Sequence, residues 1–320
     1  MISLAEIEDA YKRIKDTINK TPVMTSRTLD DRVGAKVFCK CENFQRMGAF
    51  KMRGAFNTIS QLSNEEKAKG VITHSSGNHA QALALSARIL GVKAVVVMPK
   101  GSPQVKIDAT RGYGAEVVLC ENTLASREET TNKLIAEHGY TLVHPYNNDD
   151  IIRGAGTAAY ELIKEVGNLD LVFCPVGGGG LLSGTSIATK GLCPASKVIA
   201  VEPKNADDAF KSFQAGKVIE NKTTNTIADG LRTNLCERTF AIIRQNVDQV
   251  ILVKEHEIVG AIRFLWERMK IVVEPSGAVS LAGLLSGQVA VEGKRVGVIL
   301  SGGNIDLGEF FHLLQSRISE

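Results

Sequence analysis

Three short segments put reactive residue types where a strand gives way to a helix, and a fourth places a lysine at a helix start. Thr73–Ala80 reads THSSGNHA: two serines, an asparagine and a histidine around one glycine, directly after the apolar run Gly70-Val71-Ile72. Leu171–Gly184 reads LVFCPVGGGGLLSG, a buried strand running into Gly177, Gly178, Gly179 and Gly180 and then a helical pattern. Four adjacent glycines cost conformational entropy, more than a tight turn needs. A glycine-rich turn at a helix N-terminus aims several backbone N–H groups at an anion, and the helix dipole helps. This is a phosphate cup. It lacks the GxGxxG spacing with an acidic residue further on, and no GK[ST] follows, so dinucleotide and P-loop readings are weak.

Glu42–Ala55 reads ENFQRMGAFKMRGA, with Lys51 between Phe50 and Met52 at the start of a helical pattern. A lysine flanked by apolar residues can be desolvated, which lowers its pKa toward catalytic use. The plainer reading is a surface lysine with a buried stem. Leu300–Leu307, LSGGNIDL, again ends a strand in glycines and leaves Ser301 at the strand's C-terminal end. It reads either as a helix cap region or as a neutral hydroxyl facing a ring nitrogen. A lysine together with a phosphate cup points to pyridoxal phosphate, held as a Schiff base and anchored by its phosphate.

The elements that must position these residues follow from the hydrophobic pattern. Short runs rich in β-branched residues, at 71–72, 94–98, 117–119, 171–173, 198–201 and 296–300, alternate with helical segments such as 79–90, 124–138 and 156–166. Apolar runs without strict alternation suggest strands buried on both faces. Alternation with helices gives βαβ units and an α/β class, whose ligands sit beyond the strand ends. The block from about Thr73 to Val143 holds three strand–helix units and could form a lobe of its own. The N-terminal stretch reads as an amphipathic surface helix.

GAFKMRGA, SSGNHAQA, GGGGLLSG and SGGNIDL, in this order and at these separations, resemble the fold-type II pyridoxal phosphate enzymes, specifically the serine racemase and short threonine/serine dehydratase group. The likeness spans nearly the whole chain. It implies two open, twisted, mostly parallel sheets flanked by helices, with a large cofactor-binding domain from residues 1–68 and 147–320 and a small mobile domain, 69–146, that closes over substrate. It further implies that Lys51 forms the Schiff base and moves the substrate's α-proton on one face. Phe50 would lie against the cofactor ring, Asn78 would bond the ring hydroxyl, Gly177–Gly180 with Leu181 would hold the phosphate, and Ser301 would meet the pyridine nitrogen. The turn Ser75, Gly77 and His79 would receive the substrate carboxylate, with Arg127 approaching it.

Racemisation needs a second acid/base on the face opposite Lys51, and the family pattern puts Ser76 there. Short threonine dehydratases resemble SAGNH at this place, so SSGNH favours a serine racemase, although some hydroxyaspartate dehydratases also look like SSGNH. Loss of a β-hydroxyl from the same carbanion gives pyruvate and ammonia from serine as a second activity. Val201–Phe210, VEPKNADDAF, is similar to the racemases' divalent-cation site: Glu202 and Asp208 would give carboxylates and Ala206 a carbonyl, an oxygen set suited to Mg²⁺, Ca²⁺ or Mn²⁺. A solvated helix start is the plainer reading. One departure stands out: Ile151–Thr157 reads IIRGAGT where the family usually has AGQGT. Arg153 could pair a second substrate carboxylate, shifting the preference to aspartate racemase or 3-hydroxyaspartate dehydratase chemistry, or be a surface arginine. A catabolic threonine dehydratase is the third possibility.

Bulk properties bound the rest. The 320 residues are 44% hydrophobic and 23% charged with net charge +3. That is too small and too interspersed a charge to favour nucleic acid or an anionic membrane as partner. Six cysteines without a CxxC pair read as reduced and structural. With no leader or spanning segment in view, the expectation is a cytoplasmic enzyme with a small amino-acid substrate; the resemblance adds a homodimer.

Overall fold

In the computed structural model, residues 2–75, 77–102 and 104–315 are described. Among the described residues, ten strands form two sheets. They are β1 (Val23–Met24), β2 (Lys36–Cys41), β3 (Val71–His74), β4 (Ala94–Pro99), β5 (Glu116–Cys120), β6 (Thr141–Leu142), β7 (Leu171–Pro175), β8 (Lys197–Pro203), β9 (Gln249–Val253) and β10 (Arg295–Leu300). The larger sheet has the order β1-β2-β10-β7-β8-β9 and the smaller β5-β4-β3-β6. Every pairing is parallel except β1 with β2. All the strand runs read from the sequence are strands. The short β1 and β6 were not anticipated, because two residues leave little pattern; β9 was missed although Val250–Val253 is an unbroken, mostly buried apolar run. β4, β7 and β10 are buried almost throughout, which is why they read as unbroken apolar runs rather than alternating ones. All six cysteines are free thiols.

The helix Asp149–Val166 works as a keel. It starts seven residues before the expected Gly156, because Asn148 caps it: its Oδ1 accepts the N–H groups of Asp150 and Ile151 at 2.8 and 3.0 Å. Its glycines are close-approach positions. A Cβ on Gly154 would sit 2.5 Å from the Arg53 carbonyl oxygen, and one on Gly156 would sit 2.8 Å from that of Gly184. The keel therefore touches, backbone to backbone, both the helix Lys51–Ser60 and the helix Gly180–Leu192. These are the helices that begin at the lysine and at the glycine cup.

A buried ionic cluster fixes the lysine helix from behind. Arg53, fully buried, bonds Glu42 at 2.7 and 2.8 Å and Glu161 at 2.8 and 3.0 Å. Lys40, also fully buried, donates to Glu161 at 2.7 Å. Two cations and two anions cancel, and the hydrogen bonds offset a desolvation cost that an unpaired member would leave exposed. Arg53 lies two residues beyond Lys51, so the cluster sets the rotation and depth of the first turn that carries the amine.

Candidate active site

Lys51 is the first residue of its helix, with Phe50 as the cap residue. The loop before it is laced to the SGGN turn. Phe50 N–H donates to Ser301 O at 3.0 Å, Gly303 N–H to Gly48 O at 2.9 Å, and Ala49 bridges Gly302. This joins two segments some 250 residues apart in sequence, about the separation of Lys51 and Ser301. The Lys51 amine donates to the Pro145 carbonyl at 2.9 Å and lies 5.1 Å from the centroid of the Phe50 ring. Desolvation lowers its pKa to about 8. The side chain keeps some exposure, so a group that is both reachable and desolvated sits in a cleft rather than on an open surface.

The glycine cup opens the helix Gly180–Leu192 directly after β7. Gly179 has φ +86, a conformation side chains rarely adopt. A Cβ on Gly178 would lie 2.3 Å from the Tyr146 ring, and one on Gly179 would lie 2.8 Å from Leu235 and Thr239. Only glycine fits here, and the first helical N–H groups, Leu181 among them, have no acceptor within the helix. Ser301 is 4% exposed, and its hydroxyl bonds no described residue. A phosphate at the cup and a ring nitrogen at Ser301 fit these residues.

Asn78 begins the helix after β3 and is held at both ends. Its Nδ2 donates to Glu274 Oε1 at 2.8 Å and its Oδ1 accepts Asn304 Nδ2 at 2.8 Å. Burial, reinforced by Asp229, pushes the Glu274 carboxyl up to about 8. His79 is buried and its Nε2 meets Val143 O at 2.9 Å, so its ring anchors the turn and faces away from any role as base. Burial and then Lys51 drive its pKa down to about 3. Ser75 Oγ accepts Gly77 N–H at 3.4 Å. Ser76, expected as the second acid/base, lies outside the described residues.

Two expected arginines differ in fate. Arg153 is paired within the chain: its Nη2 and Nε bond Glu6 at 2.6 and 3.1 Å and its Nη1 bonds Asp150 at 2.8 Å. The pair with Glu6 ties the helix Leu4–Ile14 to the keel. Ala155 beside it is buried packing. Arg127 is half-buried, its Nε 3.4 Å from Thr123 O, and its charge reaches His74.

The expected cation donors are gathered but capped by backbone. Glu202 is fully buried and accepts the N–H groups of Ala209 and Phe210, each at 2.9 Å; Asp208, 1% exposed, accepts Leu235 N–H at 2.8 Å. Burial raises both carboxyls, Asp208 to about 6 and Glu202 well up, with Asp208 adding repulsion at Glu202. Among the described residues no group of three His, Cys, Asp or Glu side chains gathers to hold a metal. A cation at this place would need the Ala206 carbonyl and water as well.

Sequence reasoning missed Glu274, Asn304, His144, Pro145 and Tyr146. Asn304 stood inside SGGNIDL. Glu274 stood before Pro275 at a helix start, where an acid is ordinary. The segment 143–147 carried no signal beyond its proline.

The family described as "Pyridoxal-phosphate dependent enzyme" matches residues 14–302. The chain belongs to the pyridoxal-phosphate dependent enzyme family. As a member, it is 50% identical to the L-threo-3-hydroxyaspartate ammonia-lyase of Saccharomyces cerevisiae over 98% of this chain and 96% of the relative. It is 48% identical to the serine racemase of Dictyostelium discoideum over 98% of each chain. The crystal structure of that Dictyostelium racemase superimposes with a TM-score of 0.91, covering 96% of this chain and 99% of the other. The fold is that of the fold-type II pyridoxal phosphate enzymes, with racemases and ammonia-lyases among its homologues.

Proposed function

We propose that this chain is a serine racemase that also eliminates water from serine to give pyruvate and ammonia. The observation that carries the enzymatic half is Lys51: a desolvated amine with its pKa near 8, at a helix start laced to Ser301. Bound pyridoxal phosphate would supply the sink for the electron pair left at the substrate's α-carbon. Lys51 would hold the cofactor and move the α-proton on one face. Gly177–Gly180 and Leu181 would bind the phosphate, Ser301 would donate to the ring nitrogen, and Asn78 would donate to the ring oxygen. The turn Ser75–His79 would take the substrate carboxylate through backbone N–H groups. The racemising half rests on Ser76 in the sequence and on likeness to serine racemases. The smaller sheet supports taking 69–146 as the closing domain. Glu202, Asp208 and the Ala206 carbonyl form an all-oxygen set without a paired Lys or Arg among the described residues, which suits Mg²⁺ or Ca²⁺. A homodimer and a cytoplasmic location complete the proposal; no described helix is long and apolar enough to cross a membrane.

A second reading, 3-hydroxyaspartate ammonia-lyase, is favoured by the Saccharomyces relative; Arg153, its support in the sequence, is paired with Glu6 and Asp150. The test is a product assay with pyridoxal phosphate and Mg²⁺ on L-serine, L-aspartate and L-threo-3-hydroxyaspartate. D-serine with pyruvate supports the main reading; turnover of hydroxyaspartate with little of serine supports the second. Lys51→Ala should abolish all turnover. Ser76→Ala should abolish D-serine formation while elimination from L-serine persists, and normal D-serine formation by that variant would remove Ser76 from the mechanism.

A further inference from the structure

The segment Val143-His144-Pro145-Tyr146-Asn147 leaves β6 and enters the keel, and Val143, Pro145 and Tyr146 each meet a different part of the site. Val143 O takes His79 Nε2 and Pro145 O takes the Lys51 amine, both at 2.9 Å. The Tyr146 ring fills the place a Cβ on Gly178 would need, and its own Cβ lies 3.0 Å from where one on Gly180 would sit. Asn147 Oδ1 accepts Arg238 Nε at 3.0 Å. The directions are set from within. His144 Nδ1 accepts the backbone N–H of Asn147 at 2.9 Å and of Tyr146 at 3.3 Å. Asn148 uses the same device a few residues on, accepting two N–H groups ahead of it.

Two N–H groups converging on Nδ1 fix the tautomer: the lone pair is at Nδ1 and the proton at Nε2. An imidazolium would place a third N–H against the other two. The ring is held edge to face, 4.7 Å from Tyr146 and 6.0 Å from His74. The charged and titratable groups around it are His74 on β3, Lys51, His79 on the helix Asn78–Ile89 and Tyr146, and His74 in turn faces Arg127 and Glu128. Burial first, then His74 and Lys51, hold the His144 pKa down to about 4, in accord with the geometry.

We propose that His144 is a positioning residue: as a neutral Nδ1 acceptor it folds residues 144–147 so that the Pro145 carbonyl receives the Lys51 amine and the Tyr146 ring closes the glycine cup. The inference rests on Lys51 as the reacting amine. Its consequence is that the affinity for pyridoxal phosphate and the pH at which Lys51 captures it both depend on a side chain that touches neither cofactor nor substrate.

The experiment loads cofactor-free protein with pyridoxal phosphate alone, without substrate, across pH, for the wild type, His144→Ala and His144→Asn. Asparagine can accept the same two N–H groups, as Asn148 does. His144→Ala should weaken loading about tenfold, the worth of one or two hydrogen bonds, and shift its pH midpoint; His144→Asn should stay within about threefold. A purely structural role would lower the melting temperature without moving the midpoint. The inference is overturned if His144→Ala loads as the wild type does, or if His144→Asn loses as much as His144→Ala. If the wild type itself captures no pyridoxal phosphate, the proposed function fails instead. Should the alanine variant not fold, histidine side-chain ¹⁵N shifts of the wild type decide. Nε2–H with a bare Nδ1 from about pH 5.5 to 8 is expected, and a protonated Nδ1 in that range overturns the inference.

Discussion

An asparagine amide can turn either its oxygen or its nitrogen toward a ligand, and Asn78 has that choice removed. Glu274 takes one Nδ2 proton, Asn304 occupies Oδ1, and Asn304 is itself anchored on Met47 O at 2.7 Å. What remains free is one N–H, a donor suited to an oxygen that accepts. The arrangement costs a buried carboxyl. Glu274 has its folded pKa raised to about 8 by burial, above the usual carboxylate value. Its contribution is therefore favourable at low pH, where the acid is neutral in both states. That contribution is lost as pH rises from about 4.5 through about 8, as the unfolded chain ionises and the folded one resists. Glu274→Gln keeps an acceptor for Asn78 without the charge. In cofactor-free protein it should melt about 3 °C higher than wild type at pH 8.5 and equally at pH 4.5. A lower melting point at pH 8.5 would show that the ionised carboxylate is stabilised where it sits. Lys51, Asn78 and Ser301 were legible in sequence because each sits in a motif whose residue types are unusual for its place. Glu274 was not, since an acid ahead of a proline at a helix start has an ordinary explanation.

Among elements, the strand ends were the readable part, because a buried parallel strand followed by glycines is a local pattern. The keel was misjudged at its start for an equally physical reason. The expected helix began at Gly156, whereas under the Asn148 cap it starts seven residues earlier, and Gly154 and Gly156 let three helices approach backbone to backbone. Contacts between elements far apart in the chain leave no local trace, and the ion pair across the cleft is one of these. Lys106, on the helix Gln104–Gly112 between β4 and β5, bonds Asp229, between β8 and β9, at 2.5 Å. The pair joins the two sheets beside Glu274, and both side chains are part-exposed, so its worth is about 0.5–1 kcal/mol and falls with salt. If it helps the smaller sheet close on substrate, Lys106→Glu and Asp229→Lys should each raise the KM for amino acid about two- to fivefold. The double reversal should recover most of that loss, and wild type should lose affinity as salt rises. Additive losses in the double variant would mean that the pair carries no coupling.

At the scale of the whole molecule, the carboxylates of Glu202 and Asp208 are where the proposed cation would tie ligand binding to stability. Two buried acids side by side, with only backbone N–H groups as partners, are a burden on the empty protein, since each resists ionisation and Asp208 repels Glu202. They connect β8 to the helix Asp208–Ala215 and, through Leu235 N–H, to the chain that walls the glycine cup. A cation there would neutralise the pair and stitch these three segments together, stabilising the folded state by mass action. Saturation at about a hundred times Kd is worth about 2.7 kcal/mol, roughly 5 °C in a chain of this size. Chelated protein should therefore rise in melting temperature on adding Mg²⁺ or Ca²⁺. Asp208→Asn makes the argument sharp, because it removes a repelling charge and a donor together. Without cation the variant should be at least as stable as wild type, since relief of buried like charge offsets the lost ligand. With cation it should show no rise. An equal rise in wild type and variant would move the cation elsewhere, and no rise in either would leave Glu202 and Asp208 as helix-start acceptors alone.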